Sequence, residues 1–135
     1  MNADWMRTIE KAELRDGSRL FLLWSDGTAA EVPASTAEGP VSVGDWGHSI
    51  VLSDGIEVGA DSLWLATLTA IGRDDAREFL EWRLAGDLSL SRAAKELGLS
   101  RRTVAYYSNG DRAVPKAILL ACKGWDAIHP KSKAA

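Results

Sequence analysis

Arg101, Arg102 and Tyr106 fall close together in the run SRRTVAYYSNG, residues 100–110. On a helix at about 100° per residue, Arg101, Ala105, Arg102 and Tyr106 share an arc of roughly 140°. Thr103, Val104, Tyr107 and Ser108 fall on the other side, so Val104 and Tyr107 form the face to be buried. The free arc then carries two guanidinium groups, a small residue and a phenol. A guanidinium is a planar fork of donors that matches a guanine edge with two hydrogen bonds. This side-chain set is therefore able to lie in the major groove of duplex DNA.

Elements at fixed spacing must position that face. A helix is expected over Leu90–Leu97, with Ala94 small where the next helix crosses it and Gly98 supplying positive φ in the turn. Leu99 plugs the core, and Ser100 caps a further helix over Arg101–Ser108 that stops at Asn109-Gly110. An earlier helix starts at Asp74-Asp75, where acidic residues favour a helix N-terminus. It buries Ala76, Phe79, Leu80 and Leu84 and ends at Gly86. The last helix has Pro115 at its first position and is expected to bury Ile118, Ala121, Cys122, Trp125 and Ile128. The tail from His129 is expected to be loose.

The first half has different grammar. Strands are expected near 8–14, 19–24, 28–32, 41–43, 49–52 and 56–58. Asp16-Gly17, Asp26-Gly27 and Asp54-Gly55 supply the positive φ angles of two-residue hairpin turns. Residues 33–39 read as a loop. Leu63, Trp64, Leu68 and Ile71 then recur at helical spacing behind Asp61 or Ser62 as the cap. The grammar changes at Gly72-Arg73, which divides the chain into residues 1–72 and 73–135. The expected fold class is a small, β-hairpin-rich α+β domain followed by an all-α domain.

Charge divides at the same place. Residues 1–73 hold 5 basic and 11 acidic residues, and residues 74–135 hold 11 basic and 8 acidic, within a net charge of −3. Acidic and basic halves point to modules with different partners. The 135 residues are 46% hydrophobic and 26% charged, a globular composition that argues against disorder and fibrous repeats. The start lacks a secretory signal and no apolar run is long enough to span a membrane, so a cytoplasmic protein is expected. Cys122 is the one cysteine, which excludes an intrachain disulfide. No Cys/His cluster is spaced to hold zinc, and no cofactor is expected.

Residues 74–128 resemble the Cro/lambda-repressor-like, or XRE-type, helix-turn-helix family through Ala94, Gly98, Leu99 and Val104, then Asn109-Gly110 and Pro115. The first half, with RLFLLWSDGTAAEV and IVLSDGIEVGADSLW, resembles a bacterial family of small α+β domains of unknown function, some fused to such a repressor-like domain. The first resemblance implies base reading by Arg101, Arg102 and Tyr106. Candidate phosphate contacts are Ser100, Asn109, Arg112, Lys116, Arg92 and Lys95. Leu90 stands where the family has a DNA-contacting glutamine, and Asp111 where it often has a basic residue.

The resulting expectation is a non-enzymatic bacterial transcriptional regulator that binds duplex DNA as a homodimer, with the first domain serving dimerisation, a partner or a ligand. Leu119 and Leu120 point away from the core stripe of the last helix and are candidates for a dimer or interdomain contact. The alternative is an antitoxin-like adaptor whose acidic half binds a partner protein. Asp45, His48 and Ser49 could be assembled into a hydrolase site, but a solvated loop accounts for them. Cys122 reads as a small core residue. Trp24, Trp46 and Trp64 read as core, with a ligand pocket as the alternative.

Overall fold

The computed structural model describes residues 7–15, 19–34 and 40–130. They fall into two compact units that meet in sequence between Arg73 and Asp74. The Asp16-Gly17 turn, most of the loop over 33–39 and the tail beyond residue 130 lie outside the described residues.

The first unit begins with an antiparallel sheet in the order β1 (Ile9–Arg15), β2 (Arg19–Trp24) and β3 (Ala29–Pro33). Alternation along β2 puts Leu20, Leu22 and Trp24 on one buried face, where they are joined by Ile9 and Val32. The second antiparallel sheet is β4 (Ser42–Gly44), β5 (Ser49–Val51) and β6 (Glu57–Gly59), with Gly44 opposite Ser49 and Ser49 opposite Gly59. Helix α1 (Ala60–Ala70) buries Leu63, Trp64, Thr67 and Leu68. Trp64 meets Trp24 edge to face at 4.8 Å, and the Trp24 indole N–H donates to Thr67 Oγ1 at 3.1 Å. Aromatic packing and a satisfied indole donor thus close this core together.

The expected fold class, an α+β domain ahead of an all-α domain, is corrected. Among the described residues the six strands come first, as two separate three-stranded antiparallel sheets, and the longer helices follow, so α+β describes the chain as a whole. Pro33 and Pro40 flank the passage between the sheets, and a proline has no N–H to extend a ladder. Within the described residues, β2 and β3 are joined by a tight turn, and so are β5 and β6.

Those turns also differ from the two-residue type. Positive φ occurs at Gly27 (93°) and Gly55 (89°) but not at the aspartates before them. Gly27 N–H donates to Trp24 O, and Trp24 N–H to Thr28 O; Gly55 to Leu52 and Leu52 to Ile56 repeat the pattern. Asp26 and Asp54 each accept the backbone N–H two residues on. Both hairpins therefore use three-residue loops with glycine at the left-handed position. The cap of α1 is Gly59, with no side-chain hydrogen bond, rather than Asp61 or Ser62.

The second unit contains α2 (Asp74–Ala85), α3 (Leu90–Leu97), α4 (Arg101–Asn109) and α5 (Lys116–Ile128). Its core joins Phe79, Trp82, Leu88, Leu90, Ala93, Val104, Tyr107, Val114 and Cys122. Phe79 packs edge to face on Tyr107 at 5.4 Å, and Trp82 on Trp125 at 5.6 Å. Past α2, Asp87 rather than Gly86 takes positive φ (54°), with Leu88 N–H returning to Arg83 O at 2.9 Å. On α5 the expected burial of Ala121 and Ile128 is corrected. Both are exposed, because Cys122, Ile118 and Trp125 already occupy the side facing the core. No described helix is long and apolar enough to cross a membrane.

Candidate nucleic-acid interface

Local chemistry fixes the α3–α4 corner at both ends. Ser89 caps α3 by accepting Arg92 N–H at 3.0 Å. Gly98 ends it at φ 72°, and the Leu99 N–H returns to Ala94 O at 2.9 Å. Ser100 caps α4 by accepting Thr103 N–H at 3.0 Å, while its hydroxyl donates to Thr103 Oγ1 at 2.9 Å. A side-chain cap contributes about 1 kcal/mol, so the start of α4 is well defined. Val104, Tyr107 and Ser108 are buried, which holds α4 by one side, and Asn109 is buried at its last position. At its start Arg101 and Arg102 are exposed.

The other expected site residues divide. Arg92 and Lys95 are exposed on α3, and Arg92 pairs with Glu96 at 3.3 Å. Lys116 opens α5 and is exposed. Arg112 is exposed, and its guanidinium lies over the Tyr106 ring at 4.3 Å. Tyr106 is only half exposed, so its ring does not stand free beside the arginines. Asn109 is buried at the end of α4. Ser100 already uses its hydroxyl within the cap. Leu90, at the position of the family's glutamine, is a buried core residue.

Two tertiary ties that hold this unit were not expected from the sequence. Asp75 Oδ2 accepts the Val114 N–H at 2.7 Å, fixing the segment before α5 against the start of α2. Trp125 Nε1–H donates to Glu96 Oε1 at 2.7 Å, joining α5 to α3. That bond, followed by the one from Arg92, holds the Glu96 carboxyl below its usual range. The partners are 39 and 29 residues apart, beyond the reach of any local periodicity.

At Asp45, His48 and Ser49 the serine hydroxyl is engaged by a residue outside the expected cluster. The Ser49 hydroxyl donates to Glu57 Oε2 at 2.8 Å, and the His48 backbone N–H donates to Asp45 O at 3.0 Å. Among the described residues no group of three or more His, Cys, Asp or Glu could hold a metal ion. The three tryptophans separate: Trp24 and Trp64 are core, whereas Trp46 is 93% exposed. Asp45 (φ 47°), Trp46 (φ 56°) and Gly47 (φ 90°) form a left-handed run that turns the indole outward, correcting its expected burial. Burial at Cys122, reinforced by Asp126 and Glu78, pushes the thiol up to about 12, far from a nucleophile's range.

No family model and no curated protein matches this chain. Among solved structures, it is similar to the crystal structure of a candidate DNA-binding protein from Nitrosomonas europaea. The likeness spans 100% of this chain and 96% of that one, at 26% identity and a TM-score of 0.56.

Proposed function

We propose that the chain is a sequence-specific DNA-binding protein, a cytoplasmic transcriptional regulator of bacterial type without catalytic activity. The α3–α4 pair acts as a helix-turn-helix, and α4 enters the major groove. The observation that carries the reading is the pair of exposed arginines, Arg101 and Arg102, at the start of a short, capped helix held by its opposite side. Helices α3, α4 and α5 have no acidic residue in their first turns, whereas α1 and α2 do. Such N-termini suit the approach of phosphate. The DNA-binding description of the similar structure supports the same reading.

Arg101 and Arg102 read base edges, while Arg92, Lys95, Arg112 and Lys116 meet phosphate. Ser100 contributes by capping α4. One short recognition helix reads few base pairs, so the reading includes a two-fold dimer. Leu120 (55% exposed) and Ile128 (75% exposed) lie on the outer face of α5 with Ala121 and Gly124, a surface available to a second copy. Residues 1–72 and 73–135 are proposed as separate domains. The test is binding-site selection from random duplexes at fixed salt, using the parent chain and Arg101→Ala and Arg102→Ala variants. The parent should select a defined sequence, and each variant should blur it. A well-placed bidentate arginine supplies about 1–3 kcal/mol of discrimination. Unchanged selection and affinity in both variants would remove α4 as the reader.

A second reading, an adaptor or antitoxin-like role for the first unit, is favoured by Trp46 and by local charge. No lysine or arginine occurs between Arg19 and Arg73, and tryptophan is a frequent anchor at protein interfaces. A specific partner should lose binding to Trp46→Ser while DNA binding by the chain is unchanged. Equal binding by the parent and Trp46→Ser would sink this role for the indole.

A further inference from the structure

Tyr106 was expected to read a base, but its ring face carries the Arg112 guanidinium at 4.3 Å. A guanidinium over an aromatic face gains electrostatic and dispersion energy. The backbone between the two is also fixed. Gly110 takes the left-handed conformation at φ 76°, its N–H returns to Tyr107 O, and the Asp111 N–H returns to Tyr106 O at 2.9 Å. The chain therefore turns back immediately after α4 and sets Arg112 above a side chain one turn inside the helix. Arg102 and Tyr106 are four residues apart and lie on the same side of α4. The cations of this surface thus sit at both ends: Arg101 and Arg102 at the start of α4, and Arg112 beyond its finish.

The length of α4 gives this arrangement a use. From Arg101 to Asn109 the helix rises about 12 Å, close to the roughly 12 Å width of a major groove. With the arginines at the start of α4 on base edges, a cation beyond its other end is within reach of a phosphate backbone at the groove's rim. An arginine on a free chain would lose rotamer freedom on making that contact. Stacking on Tyr106 removes part of that freedom in advance.

Resting on the reading that α4 meets DNA, we propose that Tyr106 is a positioning residue. Its ring presents Arg112 to a phosphate at the far end of α4, and it does not itself read a base. The partner of this half of the surface is the DNA backbone, so the pair contributes affinity and salt dependence without sequence preference.

The test uses the full chain with Tyr106→Phe, Tyr106→Leu, Arg112→Ala and the Tyr106→Leu/Arg112→Ala double variant. Duplex affinity is measured at several salt concentrations, and the preferred site is selected for each. Tyr106→Phe keeps the ring and should match the parent. Tyr106→Leu and Arg112→Ala should each weaken binding several-fold, leave the selected sequence unchanged and flatten the plot of log K against log salt by up to about 0.9. The double variant should bind no worse than Arg112→Ala alone. In the DNA-free chain, Arg112 side-chain protons should show an upfield ring-current shift that is retained in Tyr106→Phe and lost in Tyr106→Leu. That spectrum also establishes whether the leucine variant is folded.

A changed preferred site with an unchanged salt slope in Tyr106→Leu would return Tyr106 to base reading. Additive losses in the double variant, or no ring-current shift in the parent, would also overturn the pairing. A parent chain that binds no duplex overturns the proposed function as well. Duplex binding with any of the preceding contrary results overturns only this inference.

Discussion

Gly47→Ala isolates a steric cost from a conformational one, because two other glycines supply matched controls. Gly47, Gly27 and Gly55 have φ of 90°, 93° and 89°. A methyl group at Gly27 or Gly55 would meet nothing within 4 Å. At Gly47 it would fall 2.9 Å from both Ile9 O and Thr8 Cβ. Holding an L-residue at positive φ costs about 1–2 kcal/mol, offset in part by about 0.4–1 kcal/mol from the stiffer unfolded chain. All three alanine variants share that balance. Only Gly47→Ala must also displace β1, and forced overpacking costs about 1–3 kcal/mol more. In a unit of this size each kcal/mol lowers the melting temperature by about 4–8 °C. Thermal unfolding followed by near-ultraviolet circular dichroism should therefore place Gly47→Ala at least about 4 °C below both controls. Equal melting of the three variants would show that the Asp45–Gly47 turn does not press on β1.

Other outcomes follow from single contacts. Asp75→Ala removes the acceptor of the buried residue Val114's N–H and should cost about 1–3 kcal/mol in urea denaturation; a loss below 0.5 kcal/mol, on the order of a neutral surface change, would contradict that role. Glu96 is held below its ordinary value of 4.5, so its tie to Trp125 is fully present above that pH and is lost as the pH falls through the depressed value. Melting temperature should fall with acidification less steeply in Glu96→Gln than in the parent, and parallel profiles would refute the linkage. Cys122, with its thiol pushed up to about 12, should resist an aromatic disulfide reagent at pH 8 until the chain unfolds; rapid reaction of the native chain would contradict its burial. Limited proteolysis should cut near Gly72, an exposed residue at φ 80°, and an uncut chain would count against separable domains.

The α3–α4 corner was legible because each of its signals is local. Ser100 before α4, a glycine after each helix and a small residue at the crossing act within a few positions, where helical spacing can be read directly. Local spacing does not reach the positions where tertiary packing decides between equally apolar residues. Ile128 and Ala121 have suitable types for a core, but neighbouring residues already fill the inward side of α5. Trp46 reads as core until the left-handed run from Asp45 turns it outward. The division into two sheets was hidden because three-residue strands leave little alternation to follow. Among the site residues, exposure of Arg101 and Arg102 followed from their arc. Arg112 on Tyr106 depends on a backbone reversal that spacing does not encode.

The proposed function rests on duplex DNA binding through a cationic helical surface. Its most direct test is the fluorescence anisotropy of a labelled random-sequence duplex titrated with the full chain at 50 and 200 mM salt. With Arg92, Lys95, Arg112 and Lys116 each displacing one counterion, log K should fall against log salt with a slope of about −3.6 per protomer, a loss of roughly 150-fold between the two conditions. Binding at 50 mM with a steep loss at 200 mM is the predicted result. No binding at 50 mM, or binding indifferent to salt, would contradict duplex binding through these cations.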